Sequence, residues 1–241
     1  MTALGLLAAV VTSVAHEWVG HGGMCLANGG EATLLTSMIF RCQGGGAVTD
    51  LAGPLGGLTC GLAAFALIKL ERSATFRLFL LMTGAIALFW YFGQLAQSAA
   101  VNTGDWAFAA QALGWPGFWR PVAVVLGVGG YLLTVALATR EARVLAGGPG
   151  AAWRLRVPYL AAVVAAVIAG ALWDKDRVGS VWENLLAVGI APLGYLWAVR
   201  VALRTPSGEA AIPRSWPWIV VSAALFTAFC LTAGLGLGRL A

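Results

Sequence analysis

The sequence predicts an all-α polytopic membrane protein with about seven transmembrane helices. Of its 241 residues, 60% are hydrophobic and only 10% are charged, and the mean hydropathy is +0.83. Ordinary soluble domains do not reach these values. The 32 glycines are typical of a bundle in which helices approach closely or are interrupted. In such a chain the formal charge of +5 does not indicate nucleic-acid binding, and the positive residues in short loops report membrane orientation.

Seven apolar segments have the ~20-residue length that a bilayer requires. They lie near residues 2–22, 48–69, 77–99, 120–139, 157–173, 181–202 and 216–237. The first segment lacks a basic leader, so we expect a retained membrane helix rather than a cleaved signal peptide. The sequence contains no soluble domain between these segments and no convincing internal repeat. It therefore predicts a single membrane domain over 1–241.

The first segment runs into His16-Glu17-Trp18-Val19-Gly20-His21, which contains both histidines of the chain. Two neutral imidazoles on one helix can bind Zn²⁺ while an adjacent glutamate deprotonates metal-bound water, which is hydrolytic chemistry. Ionisable groups at membrane depth are costly and usually functional. We therefore interpret His16 and His21 as zinc ligands and Glu17 as the general base. Hydrogen-bonded packing histidines near a helix end are the alternative interpretation.

The spacing of the two histidines differs from the usual zinc-binding pair, because they lie five residues apart and the usual pair lies four apart. On a regular α-helix, five residues turn the second ring about 140° away from the first, too far for a shared metal ion. A π-helical turn would realign the rings, and such turns favour functional sites. Alternatively, the helix ends near Gly20, and His21 approaches from non-helical backbone.

A Gly-rich segment from Gly22 to Ala47 separates the first two spans. The run from Ala32 to Phe40 is too short to span a membrane and contains Thr and Ile, so it predicts a short strand or β-hairpin, or else a re-entrant loop. A strand beside a hydrolytic site could bind an extended peptide by edge addition. Cys25 and Cys42 could form a disulfide in an oxidising compartment, remain free thiols, or bind metal, which would be unusual beside a His/Glu motif.

The third metal ligand must come from another part of the chain, because a catalytic zinc ion commonly has three protein ligands and a water. The carboxylates near predicted span ends on the histidine side are Asp50, Asp105, Asp174, Asp176 and Glu183. Asp174 and Asp176 lie in a charge-balanced loop, whereas Asp105 is an isolated acid in an apolar region. We favour Asp105 as the third ligand.

The distribution of Arg and Lys predicts the orientation of the chain. The loops after the second, fourth and sixth predicted spans carry most of these residues: Lys69, Arg72, Arg77, Arg140, Arg143, Arg154, Arg156, Arg200, Arg204 and Arg214. The remainder lie on the other side: Arg41, Arg120, Lys175, Arg177 and Arg239. The positive-inside rule then predicts a cytoplasmic N-terminus, an external C-terminus and an external position for the histidines.

Three stretches together resemble the site-2 protease group, the M50 family of intramembrane zinc metalloproteases. They are His16-Glu17 with Gly20-His21, then Gly29-Gly30, then Leu51-Ala52-Gly53-Pro54-Leu55 at the start of the second span. The resemblance covers roughly 5–110 as a metalloprotease-like core, with additional transmembrane helices over 111–241. It implies zinc bound by His16, His21 and Asp105, Glu17 as the base, and substrate contacts from Gly29, Gly30, Gly53 and Pro54. The chain would be a divergent member with HExxxH in place of HExxH.

The expected function is hydrolysis of a peptide bond in or near the lipid bilayer, with a membrane-embedded or membrane-adjacent peptide as substrate. A non-proteolytic M50-like protein is one alternative, either a scaffold or another metal-dependent enzyme, and the long histidine spacing favours it. An ion or proton transporter using Glu17, Asp50, Asp105 and Glu183 is a further alternative. Such a transporter would be expected to have discontinuous spans in two related halves, and the sequence contains no such repeat.

Overall fold

Seven membrane-length helices make up most of the molecule. The computed structural model describes residues 1–208 and 212–238, and within these ranges seven helices are long and apolar enough to cross a membrane. They are Thr2–Ala27, Gly46–Ile68, Ala74–Val101, Trp119–Leu145, Ala151–Ala171, Arg177–Ala202 and Trp216–Gly234. Each overlaps one predicted span, so the predicted all-α polytopic fold class is confirmed. Arg239 lies outside the described residues.

The first span is a continuous helix that changes its hydrogen-bonding pattern midway. Helix α1 (Thr2–Ser13) continues into a π-helical stretch, π1 (Val14–Gly22), and then into α2 (Gly23–Ala27). The residues flanking π1 keep right-handed helical dihedral angles, so the helix does not end near Gly20. The structure thus adopts the first of the two arrangements that the histidine spacing allows.

A β-hairpin follows the first span. Strands β1 (Glu31–Leu35) and β2 (Phe40–Gln43) pair antiparallel, with a bulge in β1. The turn between them is closed by Thr36, whose backbone N–H donates to the Ile39 carbonyl at 2.8 Å and whose hydroxyl accepts from the Ile39 N–H at 2.8 Å. Leu35 also forms a β-bridge with Leu237. Of the two predicted forms of this segment, the structure therefore has the hairpin.

The second to fifth spans are continuous α-helices, whereas the sixth and seventh contain π-helical stretches. Their elements are α3 (Gly46–Ile68), α4 (Ala74–Val101), α5 (Asp105–Ala112), α6 (Trp119–Leu145), α7 (Ala151–Ala171), α8 (Arg177–Asn184), π2 (Leu185–Ile190), α9 (Leu193–Ala202), α10 (Trp216–Phe229) and π3 (Cys230–Gly234). The sixth span therefore consists of α8, π2 and α9, and the seventh of α10 and π3. A π-helical stretch within an α-helix commonly marks a functional region.

Helix α4 lies at the centre of the bundle. It packs against α1, α3 and α6, while α7 and α10 cover α1 and α9 covers α6. Every residue from Leu78 to Trp90 is buried. Because transmembrane helices associate through close packing rather than through exclusion from water, this extensive contact makes α4 a fixed support for the side chains on its C-terminal third.

The two ends of the bundle differ in chemistry. At one end lie the hairpin and the start of the sixth span, joined by a 2.9 Å hydrogen bond from Asn184 Nδ2 to Ser37 Oγ. At the opposite end the Arg-rich loops meet, where Arg77 pairs with Glu141 at 2.9 Å and the Ser207 N–H donates to the Arg143 carbonyl at 3.0 Å. The predicted grouping of cationic loops is thus reproduced in space.

Candidate metal centre

The π-helical stretch brings the two histidines onto one side of the first span. In π1 the hydrogen bonds connect residues five apart, so side chains at i and i+5 lie nearly above one another. The rings of His16 and His21 have centroids 5.0 Å apart, with planes inclined at 74°. Both side chains and Glu17 are buried. A spacing that a regular α-helix could not use is therefore compatible with a shared ion.

Close backbone packing between the first span and α3 holds the histidines in place. A Cβ atom at Gly20 would lie 2.5 Å from the Ala52 carbonyl oxygen, so only glycine allows the two backbones to approach this closely. Across the same contact, His21 Nδ1 lies 2.7 Å from the Thr49 carbonyl oxygen. A carbonyl can only accept, so Nδ1 carries the proton, and Nε2 is left to face the centre.

Asp105 completes the cluster from a distant part of the sequence. Asn102 has left-handed helical dihedral angles, and Gly104 has a φ of 85°; together they turn the chain sharply between α4 and α5. Asp105 then starts α5, with Oδ2 3.2 Å from His16 Nε2 and 3.5 Å from His21 Nε2.

The two distances from Asp105 to the histidines fit a tetrahedral zinc site. Zinc–ligand bonds of about 2.0–2.1 Å in tetrahedral geometry separate the ligand atoms by roughly 3.3 Å, close to the two Asp105–histidine distances above. With Nδ1 protonated, a neutral His21 would turn the lone pair of Nε2 towards a carboxylate oxygen, which is unfavourable unless a cation lies between them. The donor set and its geometry therefore fit a divalent metal ion.

Aromatic rings and an amide surround the three candidate ligands. Trp90 stacks on His16, with centroids 4.1 Å apart and planes inclined at 14°, and Phe40 stacks on His21 at 5.7 Å and 4°. Gln94 Nε2 donates to Asp105 Oδ2 at 2.8 Å. The sequence reasoning missed these three residues. Gln94 was detectable in principle as an amide inside an apolar span, whereas nothing in the sequence distinguishes Trp90 or Phe40 from packing residues.

A cavity of about 860 Å³ opens over the cluster of His16, His21 and Asp105. The hairpin, α4, α5, α8 and π2 all contribute to its wall, so residues beyond 110 help to build the site. Glu17 lines the cavity beside the cluster, with Oε1 3.9 Å from His16 Nε2. A buried carboxylate next to three candidate ligands, in a space large enough for a peptide segment, can accept a proton from water.

The other candidate third ligands lie outside the cluster. Asp50, Asp176 and Glu183 line the cavity, but among the described residues only His16, His21 and Asp105 are identified as a group whose ligand atoms all lie within 4.8 Å of one another. Asp176 instead caps α8, where its Oδ1 accepts from the Gly179 N–H at 2.9 Å. Asp174 is exposed and does not line the cavity.

The four residues predicted to contact substrate do not line the cavity. Gly29, with a φ of 73°, belongs to the turn after α2, and a Cβ at Gly30 would lie 2.7 Å from Cys42 Sγ. Gly53 lies against the His21 ring, and Pro54 is buried inside α3. Their observed contacts are with the protein itself, and their contact with a substrate stays a prediction.

Cys25 and Cys42 form a disulfide that joins α2 to β2. Of the three states that the sequence left open for these cysteines, the structure thus has the disulfide. Cys42 also lines the cavity, so the bridge fixes one wall of the cavity to the helix that carries both histidines. Cys60 and Cys230 are free thiols.

No family model, no curated protein and no solved structure matches the chain. The candidate centre is therefore supported by its own geometry and chemistry.

Proposed function

We propose that this chain is an intramembrane zinc metalloprotease of the site-2 protease type, with HExxxH in place of HExxH. One observation carries the proposal: π1 brings His16 Nε2 and His21 Nε2 to the same Asp105 oxygen. The long histidine spacing was the feature that favoured a non-proteolytic scaffold. Since a π-helix accommodates that spacing, the argument for a scaffold loses its basis.

The residues divide into ligands and a base. His16, His21 and Asp105 would hold the ion, and a bound zinc ion would polarise the scissile carbonyl and make a water molecule more acidic. Glu17 accepts the proton from the attacking water and passes it to the leaving amine. The burial of His16, Glu17 and His21 strengthens the electrostatic interactions of these groups with the reacting atoms.

The substrate is proposed to be a membrane-embedded or membrane-adjacent peptide that is extended where it is cut. Strand β2 is paired with β1 on one side, and Phe40 and Cys42 line the cavity. Within the described residues no strand pairs with the other edge of β2. An extended peptide can add to such an edge through main-chain hydrogen bonds, which would bring its backbone into the cavity that Glu17 also lines.

We also propose that the N-terminus is cytoplasmic and that the metal centre opens towards the external side. The Arg-rich loops meet at one end of the bundle and the hairpin lies at the other, as the positive-inside rule requires for this orientation. The disulfide at the hairpin end supports it, because disulfides persist in oxidising compartments.

The test of the proposed function separates metal binding from cleavage. Purified wild type and the variant Glu17→Gln are assayed for zinc content and for cleavage of model transmembrane peptides, with product termini read by mass spectrometry. Since Glu17 acts as base and not as ligand, we expect Glu17→Gln to keep about one zinc per chain, as a three-ligand site would bind, and to lose cleavage. His16→Ala, His21→Ala and Asp105→Ala should lose both.

The matched control is Glu71→Gln, in the loop before α4 at the opposite end of the bundle, where the Glu71 carboxylate accepts hydrogen bonds from the Arg72 and Ser73 N–H groups. It should keep both zinc and cleavage. Cleavage by Glu17→Gln would contradict the assignment of the base, and folded wild type without zinc would contradict the metalloprotease proposal as a whole.

A further inference from the structure

Gln94 is an amide inside the membrane-spanning helix α4, and its side chain contacts Asp105 of the candidate metal centre. It lies one turn after Trp90 on α4 and donates from Nε2 to Asp105 Oδ2 at 2.8 Å. Its Oε1 is buried and has no hydrogen-bond partner in the described part of the chain. Placing an amide in a membrane span with one group unsatisfied costs free energy, so the single bond to Asp105 is the interaction that accounts for it.

The hydrogen bond falls on the same oxygen that faces the histidines. A carboxylate oxygen has two lone pairs. Gln94 occupies one lone pair of Oδ2, and the same oxygen lies 3.2 Å and 3.5 Å from the two histidine Nε2 atoms, where a ligating atom must lie. A donor in this position fixes the rotation of the carboxyl group, as partners of metal ligands commonly do.

We propose that Gln94 is a positioning residue of the metal centre, which holds the Asp105 carboxylate with Oδ2 towards His16 and His21. The inference rests on the proposed zinc site and adds to it the residue that orients its third ligand. Gln94 itself contacts neither the metal nor the reacting atoms in this arrangement.

The experiment compares Gln94→Met with Gln97→Met. Both amides lie on α4 and line the cavity, but of the two only Gln94 bonds Asp105. Zinc affinity is measured by competition with a chelator, and the coordination number by the visible spectrum of the Co²⁺-substituted protein. We expect Gln94→Met to weaken zinc binding by about 10–100-fold, as loss of a ligand's hydrogen-bond partner commonly does, and to change the Co²⁺ spectrum. Gln97→Met should leave both unchanged.

A second variant separates this role from a general effect on folding. Gln94→Asn keeps a polar amide in the helix, but its shorter side chain cannot reach Asp105, so the same loss of zinc affinity is expected at an unchanged melting temperature. Wild type that binds zinc, with Gln94→Met and Gln94→Asn matching it in affinity and spectrum, would overturn the role of Gln94 alone. Wild type that binds no zinc would overturn the proposed function, and the role of Gln94 with it.

Discussion

Gly53 shows how one missing side chain makes room for a ligand. A Cβ at this position would overlap Nε2, Cε1 and Cδ2 of the His21 ring, the end of the imidazole that carries the candidate metal-binding nitrogen. The resemblance to site-2 proteases implies a substrate contact for Gly53, whereas the structure gives it a direct contact with a candidate ligand. Glycine at this position is therefore required by the approach of His21.

We predict that Gly53→Ala displaces His21, weakens zinc binding by at least tenfold and lowers the melting temperature. The expected fall in melting temperature is informative, because alanine is intrinsically more favourable than glycine in a helix by about 1 kcal/mol and would otherwise stabilise α3. Gly57→Ala is the control, since its Cβ would lie 3.6 Å from His16 Nδ1, an ordinary contact. Equal zinc affinity in the two variants would contradict the proposed packing of His21.

The candidate ligands were predictable from the sequence to different degrees. His16, Glu17 and His21 could be proposed because both histidines of the chain lie in one apolar segment. Asp105 could be favoured over Asp174 and Asp176 only by its isolation, because the turn that brings it to the histidines depends on two positive φ angles, at Asn102 and Gly104. Such long-range approach is determined by tertiary structure rather than by local pattern.

At the scale of elements, the π-helical stretch determines whether the site exists. The sequence could state the two ways in which a five-residue spacing might be accommodated but could not choose between them. The choice depends on the packing of π1 against α3, where Gly20 meets Ala52 at close range. Ending the helix there would leave backbone groups without partners at membrane depth, which is costly.

We predict that deleting Val19 converts π1 into a regular α-helix that still binds zinc, with an affinity within about tenfold of wild type, since residues four apart return to within roughly 40°. Val19 is a suitable residue because it is 67% exposed, so its removal takes away little packing. Inserting an alanine after Val19 is the opposite change and should abolish zinc binding. Zinc content and helicity are measured for both.

A folded Val19 deletion that binds no zinc would mean that the π-helix contributes more than the alignment of the two rings.

The disulfide is the second element-scale feature with a measurable consequence. It closes a loop between residues 17 apart in sequence, and a crosslink over about 15 residues is worth roughly 3 kcal/mol in free energy of unfolding. We predict that Cys25→Ser and Cys42→Ser each lower the unfolding midpoint in detergent. Each should also abolish the mobility difference between reduced and non-reduced protein. Cys60→Ser and Cys230→Ser, at free thiols, should do neither.

At the scale of the whole molecule, the site cannot be separated from the C-terminal helices. The sequence resemblance ends near residue 110, yet Glu183 on α8 and Ile190 on π2 line the cavity, and Asn184 is tied to the hairpin. Hydropathy gave the number and approximate bounds of the spans because each span needs a run of apolar residues of fixed minimum length. Hydropathy could not indicate which helices surround the cavity, because contacts between helices depend on side-chain shape.

The orientation of the molecule in the membrane is the last prediction, and two independent features argue for it. Ten cationic residues follow the even-numbered spans, which favours the cytoplasm for that end, and the disulfide lies at the other end, which favours an oxidising compartment. Single cysteines at Asp174 and at Ser207, both exposed and at opposite ends, are introduced in a variant with Cys60→Ser and Cys230→Ser. Intact cells that express each of these two variants are then treated with a membrane-impermeant thiol reagent.

We expect Asp174→Cys to be labelled on intact cells and Ser207→Cys only after permeabilisation. The reverse pattern would put Cys25 and Cys42 in the reducing cytoplasm, where a structural disulfide is rare, and would place most of the cationic residues outside. Both arguments would then fail together, and the proposed protease would act on the cytoplasmic side of its peptide. The expected pattern instead restricts its substrates to peptides whose cleavable segment reaches the external half of the bilayer.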